Sequence, residues 1–357
     1  MGYTTVMIID VVKVFAPALF SFFIGIAITP ILTHYQYKYQ LWKKKSVGFA
    51  LDGKPATISG AIHRDEIKKT PRMGGIVVWG SVLITSLFAL LLATVFPDFV
   101  TEKINFVSRG QTWLPLFTLI FGSLVGLVDD ILVVSNRGGY VGGGLTLKTR
   151  IGLVLLIGFM GASWFYYKLG VSTVNIPFLG DFDFGLLFIP FFMIVMLALF
   201  SGGVIDGIDG LSGGIMASIF GAYAGIAFFQ NQIDLATFCS VVVGAILAFL
   251  WFNIPPARFY MSETGMLGLT TSLSVVAFLT NSVMVLPIIA FPLFVASGSV
   301  IIQTLSKKLR GGKKIFLVAP VHHHFEALGW PSYKVTMRFW IISVITALIG
   351  MIIAVIS

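Results

Sequence analysis

The sequence predicts an all-α polytopic integral membrane protein, because its composition is strongly apolar and its apolar runs are long. Of the 357 residues, 57% are hydrophobic and only 11% are charged, whereas a soluble domain carries about 25% charged residues. Apolar runs of about 18 residues or more recur, and each is long enough to cross a bilayer as a helix. A transmembrane β-barrel is excluded, because its strands would alternate apolar and polar residues.

Ten of these runs are predicted to span the membrane within one domain that covers residues 1–357. The predicted spans are 11–33, 75–96, 112–134, 151–169, 186–201, 212–230, 235–252, 265–281, 284–304 and 337–356. Residues 171–184 alternate weakly around Pro177 and Gly180, which fits either a small external hairpin or an irregular loop.

The basic residues predict how these spans are oriented. Most of the 24 Lys and Arg residues fall in the first, third, seventh and ninth loops. Since Lys and Arg are enriched in cytoplasmic loops, we expect these four loops in the cytoplasm and both termini outside. The net charge of +9 is then a property of cytoplasmic loops and gives no reason to expect a nucleic-acid partner. The single cysteine, Cys239, excludes an internal disulfide.

Five carboxylates fall at the cytoplasmic ends of the predicted helices, namely Asp129, Asp130, Asp206, Asp209 and Glu263. Solvation by lipid headgroups would explain one of them, but a set of five on one face favours a shared site. Like charges that lie close together raise one another's pKa unless a cation is present. Mg²⁺ is the predicted cation, because it prefers oxygen ligands and commonly bridges carboxylates to substrate phosphates.

Histidines and lysines on the same face are candidates for anion binding. His322, His323 and His324 form an internal run, and adjacent histidines point in different directions. A phosphate or sugar site is therefore favoured over a metal site, with a solvated loop as the alternative. Lys68, Lys69 and Arg72 precede the second span, where membrane topology alone explains such charges, although one or two of them could contact an anionic substrate.

Five motifs occur in the order found in the polyprenyl-phosphate N-acetylhexosamine-1-phosphate transferases. They are TPRMGG at 70–75, GLVDD at 126–130, DGIDGL at 206–211, FN at 252–253 followed by PARFYMSETG at 256–265, and APVHHHFE at 319–326. The chain resembles this family over nearly its whole length. The HHHFE segment is typical of the branch that transfers phospho-N-acetylmuramoyl-pentapeptide.

The resemblance implies a fold, a reaction and a location. It implies ten transmembrane helices with both termini outside, a homodimer, and an active site on the cytoplasmic face of the bacterial inner membrane. The implied substrates are a UDP-sugar nucleotide and undecaprenyl phosphate, with UMP as the leaving product and Mg²⁺ as the cofactor. This reaction is the first membrane step of peptidoglycan synthesis.

Where the motifs of this chain match those of the family, the resemblance implies roles for individual residues. Asp129 and Asp130 match the catalytic acidic pair of the family, and Glu263 stands where the family has a metal-binding Asp. The expected catalytic residues are Asp129, Asp130, Asp209 and Glu263. The expected substrate-binding residues are Lys68, Lys69, Lys148, Asp206, Asn253, Tyr260, His322, His323 and His324, and the expected metal ligands are Asp130 and Glu263.

Three positions depart from the family pattern. The chain has Ser262 and Glu263 where the family has Gly and Asp, Gly203 in place of an Asn, and Val133 in place of a Lys. Glu keeps the charge but adds a methylene, and Mg²⁺ requires near-octahedral ligands at about 2.0–2.1 Å. Either the metal or the backbone would have to adjust.

Three other functions fit parts of the same pattern. One is an N-acetylglucosamine-1-phosphate transferase for another envelope polymer, which the HHHFE segment disfavours. Another is a transporter, whose carboxylates would lie near the membrane midplane and whose repeats would be inverted. The last is a relative that binds its ligands without catalysis, which the three departures motivate.

Overall fold

The computed structural model of the protein describes residues 3–42, 70–138 and 143–357, which form helices and one two-stranded hairpin. The elements are α1 Tyr3–Lys38, α2 Gly75–Val95, α3 Phe99–Ile104, α4 Trp113–Val134, α5 Leu147–Ser163 with a π-helical continuation Trp164–Leu169, β1 Thr173–Ile176, β2 Gly180–Asp183, α6 Phe188–Ser201, α7 Leu211–Phe229, α8 Ile233–Asn253, α9 Ser262–Leu279, α10 Leu286–Ile289, α11 Phe291–Leu309, α12 Val321–Ala327 and α13 Ser332–Ile356.

The predicted class of helical membrane protein is confirmed. Within the described ranges, eight helices are long and apolar enough to cross a membrane, and a bent pair makes a ninth. Nine of the ten predicted spans overlap these helices. The remaining prediction, 265–281, falls on α9, an 18-residue helix that carries buried Ser and Thr side chains and is not among these candidate spans.

The ninth span is broken, which the apolar run 284–304 did not predict. Val283–Ile289 and Phe291–Leu309 meet at an angle of 80°. Pro287 and Pro292 lie in the first turn of α10 and α11 respectively. Proline lacks an N–H and favours the start of a helix over its interior, so the two prolines are the sequence signal for this break.

Helix α9 lies in the middle of the bundle, where glycines allow neighbouring backbones to approach it. A Cβ added at Gly126 of α4 would lie 2.1 Å from the carbonyl oxygen of Glu263, and one at Gly75 of α2 would lie 2.2 Å from the amide nitrogen of Gly265. Small residues permit such close packing between membrane helices. The first turn of α9 is therefore fixed against both α2 and α4.

The Ser and Thr hydroxyls in the middle of α9, at positions 270–274, donate hydrogen bonds to backbone carbonyls. Thr271 Oγ1 donates to the carbonyl oxygen of Thr118 at 3.0 Å, and Ser272 Oγ donates to that of Pro115 at 2.9 Å. Because a polar group in an apolar interior is costly unless it is hydrogen-bonded, these bonds explain how α9 can lie inside the bundle. They also fix its position along α4.

The hairpin alternative for residues 171–184 is confirmed. β1 and β2 are antiparallel, with Thr173 opposite Asp183 and Ile176 opposite Gly180. The amide of Asn175 donates to Asn281 Oδ1 at 2.9 Å, just beyond the C-terminal end of α9. The hairpin and Glu263 therefore lie at opposite ends of α9.

We predict that Gly126→Ala lowers the thermal unfolding midpoint of the protein in detergent. The new Cβ would collide with the backbone of α9, and overpacking of this kind costs about 1–3 kcal/mol. Gly221→Ala in α7 is the matched control, because a Cβ there has nothing within 4 Å. Equal midpoints for the two variants would contradict the proposed contact between α4 and α9.

Candidate functional site

The first turn of α9 contacts two of the acidic motifs through Ser262 and Thr264. The amide of Ser262 donates to Asp206 Oδ2 at 2.7 Å. The amide and the hydroxyl of Thr264 both donate to Asp130 Oδ2, at 2.9 and 2.6 Å. The first amides of a helix have no partner within the helix, and here carboxylates from distant parts of the chain accept from them. The predicted convergence of the acidic motifs is present.

Two arginines neutralise the acidic pair and Glu263. Arg72 Nε contacts Asp130 Oδ1 at 2.9 Å. Arg150 contacts two carboxylates at once, with Nη2 at 3.0 Å from Asp129 Oδ2 and Nη1 at 2.8 Å from Glu263 Oε1. Arg72, in the TPRMGG motif, was one of three basic residues considered for contact with an anionic substrate, but it was not assigned to the carboxylates. Arg150 was counted only as a loop cation.

Asp129 is also fixed by the turn that leads into α5. The amide of Leu145 donates to Asp129 Oδ1 at 2.6 Å. Gly144 has a φ of +91°, and a Cβ there would lie 2.8 Å from the same oxygen and 2.9 Å from Val133 Cγ2. Val133 therefore packs against this turn instead of supplying a cation, and Arg150 is the cation beside Asp129.

The second acidic motif forms the turn between α6 and α7. Asp206 Oδ1 accepts from Ser212 Oγ at 2.7 Å, and Asp209 Oδ2 accepts from the amide of Ala257 at 3.0 Å. Burial raises the pKa of Asp206, and the hydrogen bonds from Ser212 and Ser262 oppose this effect. Helix α13 holds the turn from the other side, because Thr336 Oγ1 donates to the carbonyl oxygen of Asp209 at 3.1 Å.

Asn253 was predicted to contact substrate, but both its side-chain oxygen and its side-chain nitrogen form hydrogen bonds with backbone groups. Its Oδ1 accepts from the amide of Gly210 at 2.9 Å, and its Nδ2 donates to the carbonyl oxygen of Phe259 at 2.7 Å. The side chain is only 2% exposed. Asn253 therefore connects the acidic turn to the loop that precedes α9.

The three histidines lie on the short helix α12, and two adjacent ones point the same way, contrary to the prediction that neighbouring histidines diverge. A Cβ at Gly207 would lie 2.8 Å from Nε2 of His322 and 2.7 Å from Nε2 of His323, so both rings face the acidic turn. His324 is directed elsewhere, because its Nδ1 accepts from the amide of Leu317 at 3.2 Å. Burial lowers the pKa of His322 well below its ordinary value, with His323 adding to the effect.

A cavity of about 630 Å³ opens beside the acidic turn. This volume lies within the range of about 300–1,000 Å³ that is usual for small-molecule sites. Its lining consists of Arg72, Asp206, Gly207, Ile208, Asp209, Pro255, Pro256, Tyr260, Ser262, Glu326, Ser332 and Tyr333. His323 contacts this lining, because its Nδ1 lies 2.6 Å from Glu326 Oε2. The cavity therefore joins the acidic turn, one arginine and two tyrosines in one space.

The predicted residues that remain lie outside this space or outside the described ranges. Lys148 is exposed on the first turn of α5, and Lys68 and Lys69 fall in the part of the chain that the structure does not describe. Asp129 and Asp130 are 1% and 0% exposed and lie behind the cavity wall, where Arg72 separates Asp130 from the open space. Arg72 therefore connects the acidic pair to the cavity, because it lines that space and contacts Asp130.

The carboxylates do not fit a metal ion as they are arranged here. Over residues 3–42, 70–138 and 143–357, no three His, Cys, Asp or Glu side chains lie close enough together to hold one. Asp130 and Glu263, the predicted Mg²⁺ ligands, each contact a guanidinium group. A cation at Glu263 would require Arg150 to leave first.

The departures at 262 and 203 have different local consequences. Ser262 has a φ of +58°, in the left-handed region that favours glycine, so the serine is accommodated with some backbone strain. At Gly203, a Cβ would meet only Met266 Cβ, at 3.8 Å. A side chain would therefore fit at position 203, and crowding does not explain why the chain has Gly203 where the family has an Asn.

We predict that Asn253→Ala lowers the thermal unfolding midpoint of the protein without any ligand. The variant leaves a buried amide and a buried carbonyl without partners, and each such group costs about 1–3 kcal/mol. Asn175→Ala in the exposed hairpin is the control. A residue that only contacted substrate would leave the midpoint of the unliganded protein unchanged, and that result would refute the connecting role.

The chain matches known proteins over most of its length. The family model described as Glycosyl transferase family 4 matches residues 112–281. Three similar curated proteins carry the name phospho-N-acetylmuramoyl-pentapeptide-transferase. The one from Listeria innocua is 34% identical over 284 residues, which cover 79% of this chain and 83% of that protein.

The other two relatives are similar to this chain to about the same extent. The protein from Geobacillus thermodenitrificans is 36% identical over 290 residues, covering 79% of this chain and 82% of its own. The protein from Chloroflexus aurantiacus is 33% identical over 300 residues, covering 80% and 77%. Since the identity extends over most of both chains in each case, this chain belongs to the phospho-N-acetylmuramoyl-pentapeptide-transferase family.

Proposed function

We propose that this membrane protein transfers phospho-N-acetylmuramoyl-pentapeptide from its UDP-activated form to undecaprenyl phosphate and releases UMP. This is the first membrane step of peptidoglycan synthesis. The observation that carries the proposal is that four of the five motifs line one cavity of about 630 Å³, and that Arg72 in this lining contacts Asp130 of the fifth motif. The names of the relatives supply the reaction.

We further propose ten transmembrane helices, with α9 as the one that composition alone does not identify. Both termini then lie outside, and the site faces the cytoplasm at the inner membrane of a bacterium. The positions of the basic residues support this orientation. The hairpin supports it too, because it lies at the end of α9 opposite the site. A homodimer is proposed on the family resemblance alone.

The cavity has the groups that a UDP-sugar would contact. Tyr260 lines it, and an aromatic ring there offers a stacking surface for uracil. Arg72 also lines it, and a guanidinium group can donate two parallel hydrogen bonds to a phosphate. Asp206 and Asp209 lie on the same wall, where their carboxylates could accept hydrogen bonds from hydroxyl or amide groups of the UDP-sugar.

The reaction exchanges one phosphoanhydride bond for another. A phosphate oxygen of the lipid attacks the sugar-linked phosphorus of the donor, the bond to the uridine-linked phosphate breaks, and UMP leaves with that bond's electron pair. The second pKa of a phosphate monoester is about 6, so the lipid phosphate is mostly a dianion at pH 7 and gains little from a general base. Catalysis then rests on positioning and electrostatic stabilisation.

This chemistry gives Asp129 an orienting role. Its carboxylate already accepts a hydrogen bond from Leu145 and contacts Arg150, and it does not line the cavity. It is therefore placed to fix Arg150 rather than to remove a proton from the acceptor. Mg²⁺ dependence remains a proposal that rests on the family resemblance, and a bound Mg²⁺ would neutralise phosphate charge.

We expect the purified protein to release UMP from UDP-N-acetylmuramoyl-pentapeptide when undecaprenyl phosphate and Mg²⁺ are present. Because the bonds formed and broken are alike, added labelled UMP should exchange into the donor. UDP-N-acetylglucosamine is the matched control. Release from this control alone would favour the other transferase class, and no release from either donor would favour an inactive relative.

We expect Asp129→Asn to lower kcat about tenfold or more at every pH from 5 to 9, where tenfold corresponds to about 1.4 kcal/mol. Loss of an orienting carboxylate should leave the shape of the pH profile unchanged. Asp181→Asn in the hairpin is the control for the charge change. Activity that recovers strongly as the pH rises through the phosphate pKa of about 6 would identify Asp129 as a base instead.

A further inference from the structure

Two basic residues at the start of α13 lie over the ring of Trp330. Cζ of Arg338 is 4.1 Å from the centroid of this ring, and Nζ of Lys334 is 5.3 Å from it. The two residues are four positions apart, so they share one face of the helix. Phe325 stacks on the same indole with ring centroids 4.8 Å apart, and both aromatic side chains pack against the apolar core. A fixed indole therefore holds two like charges side by side.

These two charges are not neutralised by a carboxylate. Within the part of the chain that the structure describes, neither Lys334 nor Arg338 belongs to an ion pair. The first turn of α13 contains no acidic residue. The carboxylate that reaches this turn is Glu326, which contacts His323 and accepts a hydrogen bond from Ser332, and its side chain is only 6% exposed. Since a helix N-terminus adds partial positive charge, the start of α13 favours an anionic ligand.

The helix face that carries the two cations continues as an exposed apolar stripe. Steps of three and four residues from Arg338 keep to this face, and the side chains at those steps are 60%, 52%, 49% and 55% exposed, namely Ile341, Ile345, Leu348 and Ile352. At 1.5 Å per residue, the stripe is about 16 Å long. This length is close to one leaflet, which is half of a hydrocarbon core of about 30 Å.

We propose that this face of α13 binds an anionic phospholipid of the surrounding membrane. The lipid phosphate contacts Arg338 and Lys334, and an acyl chain follows the apolar stripe. Arginine suits this place, because it can stack on an aromatic ring and donate two parallel hydrogen bonds to a phosphate. Neither cation lines the cavity of the proposed transfer site, so this lipid site is separate from that of the substrates.

Membrane topology alone does not explain this arrangement. The preference for basic residues in cytoplasmic loops accounts for Lys and Arg anywhere on that face, but it does not require that two of them share one indole. Lys313 and Lys314 show the difference, because they are exposed in the loop after α11. In the described ranges they have no contact with an aromatic ring. This pair therefore serves as a control for charge without the indole.

The test measures phosphatidylglycerol binding to the full-length protein in detergent by native mass spectrometry. The ionic strength is about 0.15 M, where exposed charges more than about 8 Å apart are largely screened. We expect the double variant Lys334→Gln/Arg338→Gln to bind this lipid about tenfold more weakly than the wild type, a change of about 1.4 kcal/mol. The control Lys313→Gln/Lys314→Gln loses the same charge and should stay within about twofold of the wild type.

Trp330→Leu removes the indole and leaves every charge in place. A cation–π contact at an exposed site is worth about 0.5–1 kcal/mol, so we expect about threefold weaker binding of phosphatidylglycerol. If this variant does not fold, Arg338→Lys decides, because lysine keeps the charge but lacks the planar fork for a phosphate, and about threefold weaker binding is again expected. Equal affinity of the wild type and the Lys334→Gln/Arg338→Gln variant, or equal losses in the two double variants, would overturn the proposal.

Three further measurements separate the phospholipid from other occupants of this face. Phosphatidylcholine, whose headgroup has no net charge, should bind the wild type more weakly than phosphatidylglycerol, and equal binding would overturn the proposal. Displacement of the lipid by millimolar inorganic phosphate would assign the cations to a soluble anion instead. Loss of dimer in the Lys334→Gln/Arg338→Gln variant with unchanged lipid binding would assign the stripe to a second copy of the chain. None of these measurements uses the transfer reaction, so their outcome does not depend on the proposed function.

Discussion

The first turn of α9 is the contact on which the site depends. Ser262 donates to Asp206, Thr264 donates to Asp130, and Glu263 between them contacts Arg150. The amides at the start of a helix lack partners within it and carry a partial positive charge. Carboxylates therefore form favourable hydrogen bonds with these amides. The first turn of α9 thus contacts acidic motifs that are far apart in the sequence.

This gathering requires that α9 lies inside the bundle, and the sequence of α9 is adapted to that position. Glycines on α2 and α4 let the backbones approach, and the hydroxyls of Thr271 and Ser272 bond to carbonyls of α4. Because of these polar residues, α9 is not among the helices of the described ranges that are long and apolar enough to be candidate membrane spans. The helix that carries the site is thus one that composition alone does not identify.

The charges at the site are organised around arginine. Burying a carboxylate without a partner is costly, and Arg72 and Arg150 remove that cost for Asp130, Asp129 and Glu263. A reaction between a diphosphate and a lipid phosphate brings more negative charge to the same place. Arg72 lines the cavity and contacts Asp130, so positive charge lies at the wall where a substrate phosphate would enter.

The sequence by itself determined the membrane class, the helix positions to within a few residues and the motifs that meet at the site, since long apolar runs and their polar ends are local properties. The tertiary structure alone decided which partners the polar groups choose. In the structure, Arg150 lies between two carboxylates, and Asn253 forms hydrogen bonds with backbone groups. The side chain of His324 points away from the acidic turn, and the ninth span is bent. Such choices depend on distances between segments that are remote in the chain, and no local pattern encodes those distances.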